Sequence, residues 1–192
     1  MPPWLSTSAL PSAREQGDRV PPRCVIGTCP QAMEPPAPGD DGVVRRQVYL
    51  QAGQVFASVE PASVVTILGS CVAVCLFDPV ARMGGMNHYL LPLAVERERS
   101  PRFGNVALAL LLDEVFDRGA RKGSLRAKVF GGAGVLDGFQ RTGGHLGQDN
   151  VEIALRTLEA EGIPVVDGDV GGRRGRKVVF RVDDGSAWVR TL

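Results

Sequence analysis

Long apolar runs are missing from this sequence. No stretch of its 192 residues approaches the ~18 consecutive apolar positions that a membrane-spanning helix needs. An excess of one charge is missing too: 22 Lys plus Arg face 21 Asp plus Glu, for a formal net charge of +1. No overall field therefore favours nucleic acid or an anionic membrane surface. Cysteines are few, at positions 24, 29, 71 and 75, which excludes a disulfide scaffold for a chain this long. The amino terminus lacks the basic-then-apolar order of a secretory leader, since Trp4 and Leu5 are soon followed by Ser, Pro, Arg and Glu. A reducing, cytoplasmic setting is expected, with no nucleic-acid partner and no membrane insertion. In that setting a cysteine is buried, catalytic or metal-bound rather than bridged.

Proline is abundant but uneven. Nine of the fourteen prolines lie within the first 38 residues, a density that removes backbone donors and blocks both helix and sheet. Residues 1–43 are expected to be a disordered extension, and residues 44–192 the folded domain. Cys24 and Cys29 fall in the extension, where a lone C-x4-C pair without a nearby histidine is a poor zinc signal. Hydrophobic residues make up 44% of the chain, enough for one sizeable core.

The folded part reads strand first. Val48–Leu50, Gln54–Val59, Ser63–Leu68, Cys71–Phe77 and Met83–Leu91 are extended patterns separated by turn residues. Asn105–Arg118 switches to helical period, with Leu108, Leu111, Leu112, Val115 and Phe116 on one face and Gly119 placed for the carboxyl-terminal cap. Lys128–Phe130 is a short strand. A second helix is expected from a cap at Asp149 or Asn150 to about Glu161, then strands at Val165-Val166, Lys177–Val182 and Ala187–Thr191. The class is α/β or α+β with mixed sheets.

Reactive side chains concentrate in one stretch, Thr66 to His88, T-I-L-G-S-C-V-A-V-C-L-F-D-P-V-A-R-M-G-G-M-N-H. If it forms an antiparallel hairpin turning at Pro79–Arg82, Cys71 lies opposite Leu90 when Asp78 pairs with Met83. With a two-residue turn it lies opposite His88. In both registers Cys71 and His88 share a face, roughly 5–8 Å apart between Cβ atoms. A thiol needs a base or a positive field to react near neutral pH, and an imidazole supplies both. Thr66 or Asn87 could orient the ring, and backbone N–H groups near Gly69-Ser70 could hold an oxyanion. Each residue also has a plainer reading. A cysteine is more often core than nucleophile, a lone histidine on a strand is usually structural, and Cys75 reads as packing. A metal site of Cys71, Cys75 and His88 lacks a fourth ligand and clean spacing.

The same stretch, extended through Y-L-L-P after His88, resembles the signature of the CheD family. The resemblance continues through R-F-G-N at Arg102–Asn105, K-V-F-G-G-A at Lys128–Ala133, N-V-E at Asn150–Glu152, G-I-P at Gly162–Pro164 and G-R-K-V at Gly175–Val178. It covers about residues 44–192.

The resemblance implies a three-layer α/β/β sandwich of mixed β-sheets with helices on one side. It implies a cysteine hydrolase that converts glutamine side chains of methyl-accepting chemotaxis receptors to glutamate. Cys71 is then the nucleophile, His88 the general base and Thr66 the third residue, with no cofactor and no metal. A CheC-type phosphatase is an implied partner. Two other readings are a regulatory module engaging such a phosphatase or receptors with little catalysis, and a receptor methylesterase-like activity. The basic cluster Arg173–Lys177 reads as a solvated loop, and His145 carries no assigned role.

Overall fold

The computed structural model describes residues 41–95, 98–134 and 146–192. The expected extension, including Cys24 and Cys29, lies outside them up to residue 40, as does His145. Among the described residues the chain forms nine strands and two α-helices. These are β1 (Arg46–Tyr49), β2 (Gln54–Ser58), β3 (Ala62–Leu68), β4 (Val72–Asp78), β5 (Met83–His88), α1 (Gly104–Asp117), β6 (Arg126–Gly131), α2 (Leu146–Ala160), β7 (Val165–Val170), β8 (Arg176–Arg181) and β9 (Ala187–Thr191).

The strands build two mixed sheets, one ordered β1-β3-β8-β9 and the other β2-β5-β4-β6-β7. Both helices pack on the five-stranded sheet, whose other face meets the four-stranded one. The result is the three-layer α/β/β sandwich implied above.

β4 explains why this stretch reads as almost continuously apolar. It is the central strand of the middle layer and is covered on both faces. Val72, Val74 and Leu76 join the core under the helices, whereas Ala73 and Cys75 join the core between the sheets. β3 turns one face to the other sheet: Val64 and Leu68 are buried between the sheets, whereas on the opposite face Val65 is buried and Ile67 points out at 63% exposure. In β5 a Cβ on Gly85 would come within 2.8 Å of Leu111 on α1 and 2.7 Å of the Phe56 carbonyl. The bare backbone there lets α1 lie close to the sheet.

α1 ends as its sequence suggests. Gly119 takes a φ of +99°, its N–H bonds the Phe116 carbonyl, and the Ala120 N–H reaches back to Val115, a Schellman closure.

The start of α2 differs from expectation. The helix begins at Leu146, so neither Asp149 nor Asn150 is its cap. Asn150 lies inside the helix and is fully buried. Its side chain bonds backbone carbonyls of other segments, so a tertiary role stood behind what looked like a local capping signal.

The basic cluster also resolves differently from a uniformly solvated loop. Arg173 and Arg174 are exposed. Arg176 is buried, pairs with the Asp169 carboxylate at 2.8 Å, and donates to the backbone carbonyls of Asp169 and Gly171.

Candidate active site

The β4–β5 hairpin fixes the register on which the site depends. Asp78 pairs with Met83 and Cys75 with Met86, and a further bridge joins Val72 to Tyr89 through bonds of 3.1 and 3.0 Å. Continuing this pairing by one residue sets Cys71 opposite Leu90, the first of the two registers considered. Cys71 and His88 are therefore diagonal neighbours. Both belong to the layer between the sheets, since Cys71 packs against that core and His88 shares the pleat parity of Met86.

Thr66 completes the group from the opposite sheet. Its hydroxyl oxygen lies 2.8 Å from His88 Nδ1 and 2.7 Å from the Leu50 carbonyl. A hydroxyl has one proton to donate, and a carbonyl can only accept. The Thr66 proton must go to Leu50, so His88 donates from Nδ1 to Thr66. Hydrogen-bond logic thus fixes the neutral imidazole as the Nδ1–H tautomer, with the lone pair on Nε2. Nε2 is buried and has no hydrogen-bond partner.

Asn87, the other candidate for orienting the ring, does not reach it. Its Oδ1 accepts the Val74 N–H at 2.9 Å. Neighbouring residues on a strand point to opposite faces, so Asn87 serves the sheet rather than the histidine.

Burial raises the Cys71 thiol above its ordinary range, and the residue's own N–H pulls it back in part. Burial lowers His88 below the usual histidine value, opposed in part by the Leu50 carbonyl. Both shifts favour uncharged groups. They work in favour of a thiol and a neutral imidazole and against a thiolate–imidazolium pair. Cys75 is buried, and its thiol is pushed far above the normal range chiefly by desolvation, which suits the packing role expected of it. Among the described residues, no three His, Cys, Asp or Glu side chains converge as metal ligands.

The backbone around Cys71 is tied down. The Gly132 N–H bonds the Cys71 carbonyl and the Ala133 N–H bonds the Gly69 carbonyl, each at 2.8 Å. Gly131 makes the close approach possible, because its φ is +110° and a Cβ there would fall 2.1 Å from the Cys71 carbonyl oxygen. Asn150 was missed by reading the sequence as a source of chemistry. No local signal sets it apart, because Gln148, Asp149 and Glu152 around it are polar as well.

Comparison with known proteins identifies the family of the chain. Residues 90–191 match the family model described as CheD chemotactic sensory transduction. A protein of Anaeromyxobacter dehalogenans (strain 2CP-C), named probable chemoreceptor glutamine deamidase CheD 1, is 59% identical over 169 residues, spanning 86% of this chain and 97% of its own. A relative of the same name from Shewanella oneidensis is 43% identical over 77% of this chain and 73% of its own. One from Rhodospirillum rubrum, named probable chemoreceptor glutamine deamidase CheD, is 44% identical over 75% and 81% respectively.

Proposed function

This chain belongs to the CheD family, and from that premise we propose that it deamidates glutamine side chains of chemotaxis receptors by thiol-dependent hydrolysis. The names of its relatives support the substrate class. The observation that carries the chemistry is His88: Thr66 holds Nδ1 at 2.8 Å, and a free Nε2 lone pair remains on the face that Cys71 shares.

As the Cys71 sulfur adds to the carboxamide carbon, its proton passes to His88 Nε2 and the C=O pair moves onto oxygen. The oxyanion collapses, the C–N bond breaks, and His88 returns the proton so that ammonia leaves. Water, deprotonated by the same imidazole, adds to the thioester. The C–S bond then breaks, releasing glutamate and the thiol. The sum is amide plus water giving carboxylate plus ammonium. The burial of both groups suits this order of events, because the proton moves during attack rather than before it. Apo geometry of such pairs often tightens only when substrate binds.

The target amide belongs to another protein, so recognition is a protein–protein event. No helix among the described residues is long and apolar enough to cross a membrane, in keeping with action on the cytoplasmic part of a receptor.

The test is peptide mass spectrometry of a cytoplasmic receptor fragment incubated with the protein, beside a Cys71→Ala control. Amide-to-acid conversion at particular glutamines, absent with the control, is expected. Persistent binding without conversion would support the regulatory-module reading instead.

A further inference from the structure

The Gly69-Ser70-Cys71 turn has all three of its carbonyls anchored. Gly69 accepts from Ala133 and Cys71 from Gly132, both backbone donors at 2.8 Å. Ser70 is held differently: Asn150 Nδ2 donates to its carbonyl at 3.0 Å and, with its second proton, to the Leu90 carbonyl at 2.8 Å. One buried amide thus bridges the residue before Cys71 and the residue opposite it.

The amide orientation is determined, because a flipped group would set Oδ1 against two carbonyl oxygens. The arrangement leaves Oδ1 buried without a partner, a cost that an apolar residue would avoid. Helix α2 is itself docked at this point, since the Tyr89 hydroxyl donates to the Asn150 carbonyl at 2.6 Å.

The Ser70 and Cys71 N–H groups, by contrast, bond no acceptor of another residue among those described. In a planar trans peptide the C=O and the following N–H point in opposite directions. Fixing the Ser70 carbonyl toward Asn150 therefore fixes the Cys71 N–H away from it. The same N–H partly offsets the burial that raises the Cys71 thiol.

We propose that Asn150 is a positioning residue for the hydrolysis: by holding the Ser70 carbonyl it aims the Cys71 N–H at the oxyanion formed when the thiol adds to the carboxamide. The inference rests on the thiol-hydrolase reading above. The Asn150 side chain touches no reacting atom and acts through the Ser70–Cys71 peptide. Preorganised donors of this kind are effective because they need not reorient as charge develops.

The experiment compares wild type with Asn150→Ala and Asn150→Asp for receptor-fragment deamidation and for Cys71 alkylation by iodoacetamide, which forms no oxyanion. In the variants kcat is expected to fall about 10²–10³-fold, the loss typical of one oxyanion donor, with KM and alkylation rate unchanged within about twofold. A parallel fall of alkylation, kcat and melting temperature would mean a purely structural role and overturn the proposal, as would an unchanged kcat. An inactive wild type would instead remove the hydrolase reading, and the inference with it. Should neither variant fold, the wild type provides the test. A receptor peptide carrying an aldehyde in place of the target carboxamide adds the thiol reversibly, and the Cys71 amide proton is expected to move to low field in the adduct. An unmoved Cys71 amide would overturn the proposal.

Discussion

The Thr66 hydroxyl accepts a hydrogen bond from His88 Nδ1 at 2.8 Å while donating its own proton to Leu50 at 2.7 Å. A side chain of one sheet thereby selects the tautomer of a histidine in the other. Thr66→Val keeps the shape and removes the relay, so Nδ1 loses its partner and the base its fixed orientation. Deamidation is expected to slow about 100-fold, at the low end for a positioned general base, with Thr66→Ser restoring most of the rate. Steady-state kinetics on the receptor fragment would check this, and equal rates for Thr66→Val and wild type would contradict it.

The pH dependence follows from the two buried groups. His88 works as a base only when neutral, and burial lowers its pKa below the ordinary 6.5. kcat/KM should therefore rise through a single limb below pH 6.5 and stay level across neutrality. The Cys71 thiol is raised above its ordinary 9.0, so alkylation of the free enzyme should keep accelerating with pH through 9 and level off only above it. A pH–rate profile set beside an alkylation profile separates the two. Coincident limbs would indicate a preformed thiolate–imidazolium pair. The same shift affects stability: a histidine buried neutral is protonated more readily in the unfolded chain, so its contribution fades as pH falls below 6.5.

Much of this was legible along the chain because strands and helices announce themselves by period. The turn after Asp78 left two β4–β5 registers open, but the shared face of Cys71 and His88 needed only the pleat parity common to both. The choice between Thr66 and Asn87 was not legible from the hairpin. Thr66 lies on a strand of the other sheet, and which sheet faces His88 is a property of stacking rather than of sequence neighbours. Asn150 was misread for a related reason. A polar residue near a helix start is locally indistinguishable from a cap, and its partners at Ser70 and Leu90 lie 80 and 60 residues away.

Asp78 anchors the hairpin that carries the site. Its carboxylate is buried and accepts from the N–H groups of Val80, Ala81 and Arg121 and from the Ser124 hydroxyl. Burial opposes ionisation, but the four hydrogen bonds outweigh it and hold the pKa at about 2. A depressed carboxylate stabilises the fold above its unfolded value of 3.8, and the contribution, on the order of 2 kcal/mol, disappears as pH falls toward 2. Asp78→Ala strands four donors and should cost about 2–4 kcal/mol near neutral pH. Urea denaturation at pH 7 and pH 3 measures both effects: the gap between wild type and variant should narrow in acid, and a constant gap would show that the charge is not what matters.

Gly131 supplies the most local test of the backbone geometry at Cys71. At φ +110° an alanine is strained by about 1–3 kcal/mol before any contact is considered, and its Cβ would lie 2.1 Å from the Cys71 carbonyl oxygen. That oxygen is held by the Gly132 N–H, so the chain must give way at the nucleophile itself. Gly131→Ala should therefore lower stability and reduce kcat more than its melting temperature alone would explain. Gly123→Ala is the matched control, because a Cβ there meets nothing within 4 Å, and it should leave both quantities unchanged. Thermal denaturation and single-turnover deamidation of the two variants decide the point. Loss of stability with an intact rate per folded molecule would mean that the Cys71 backbone can shift without affecting the chemistry.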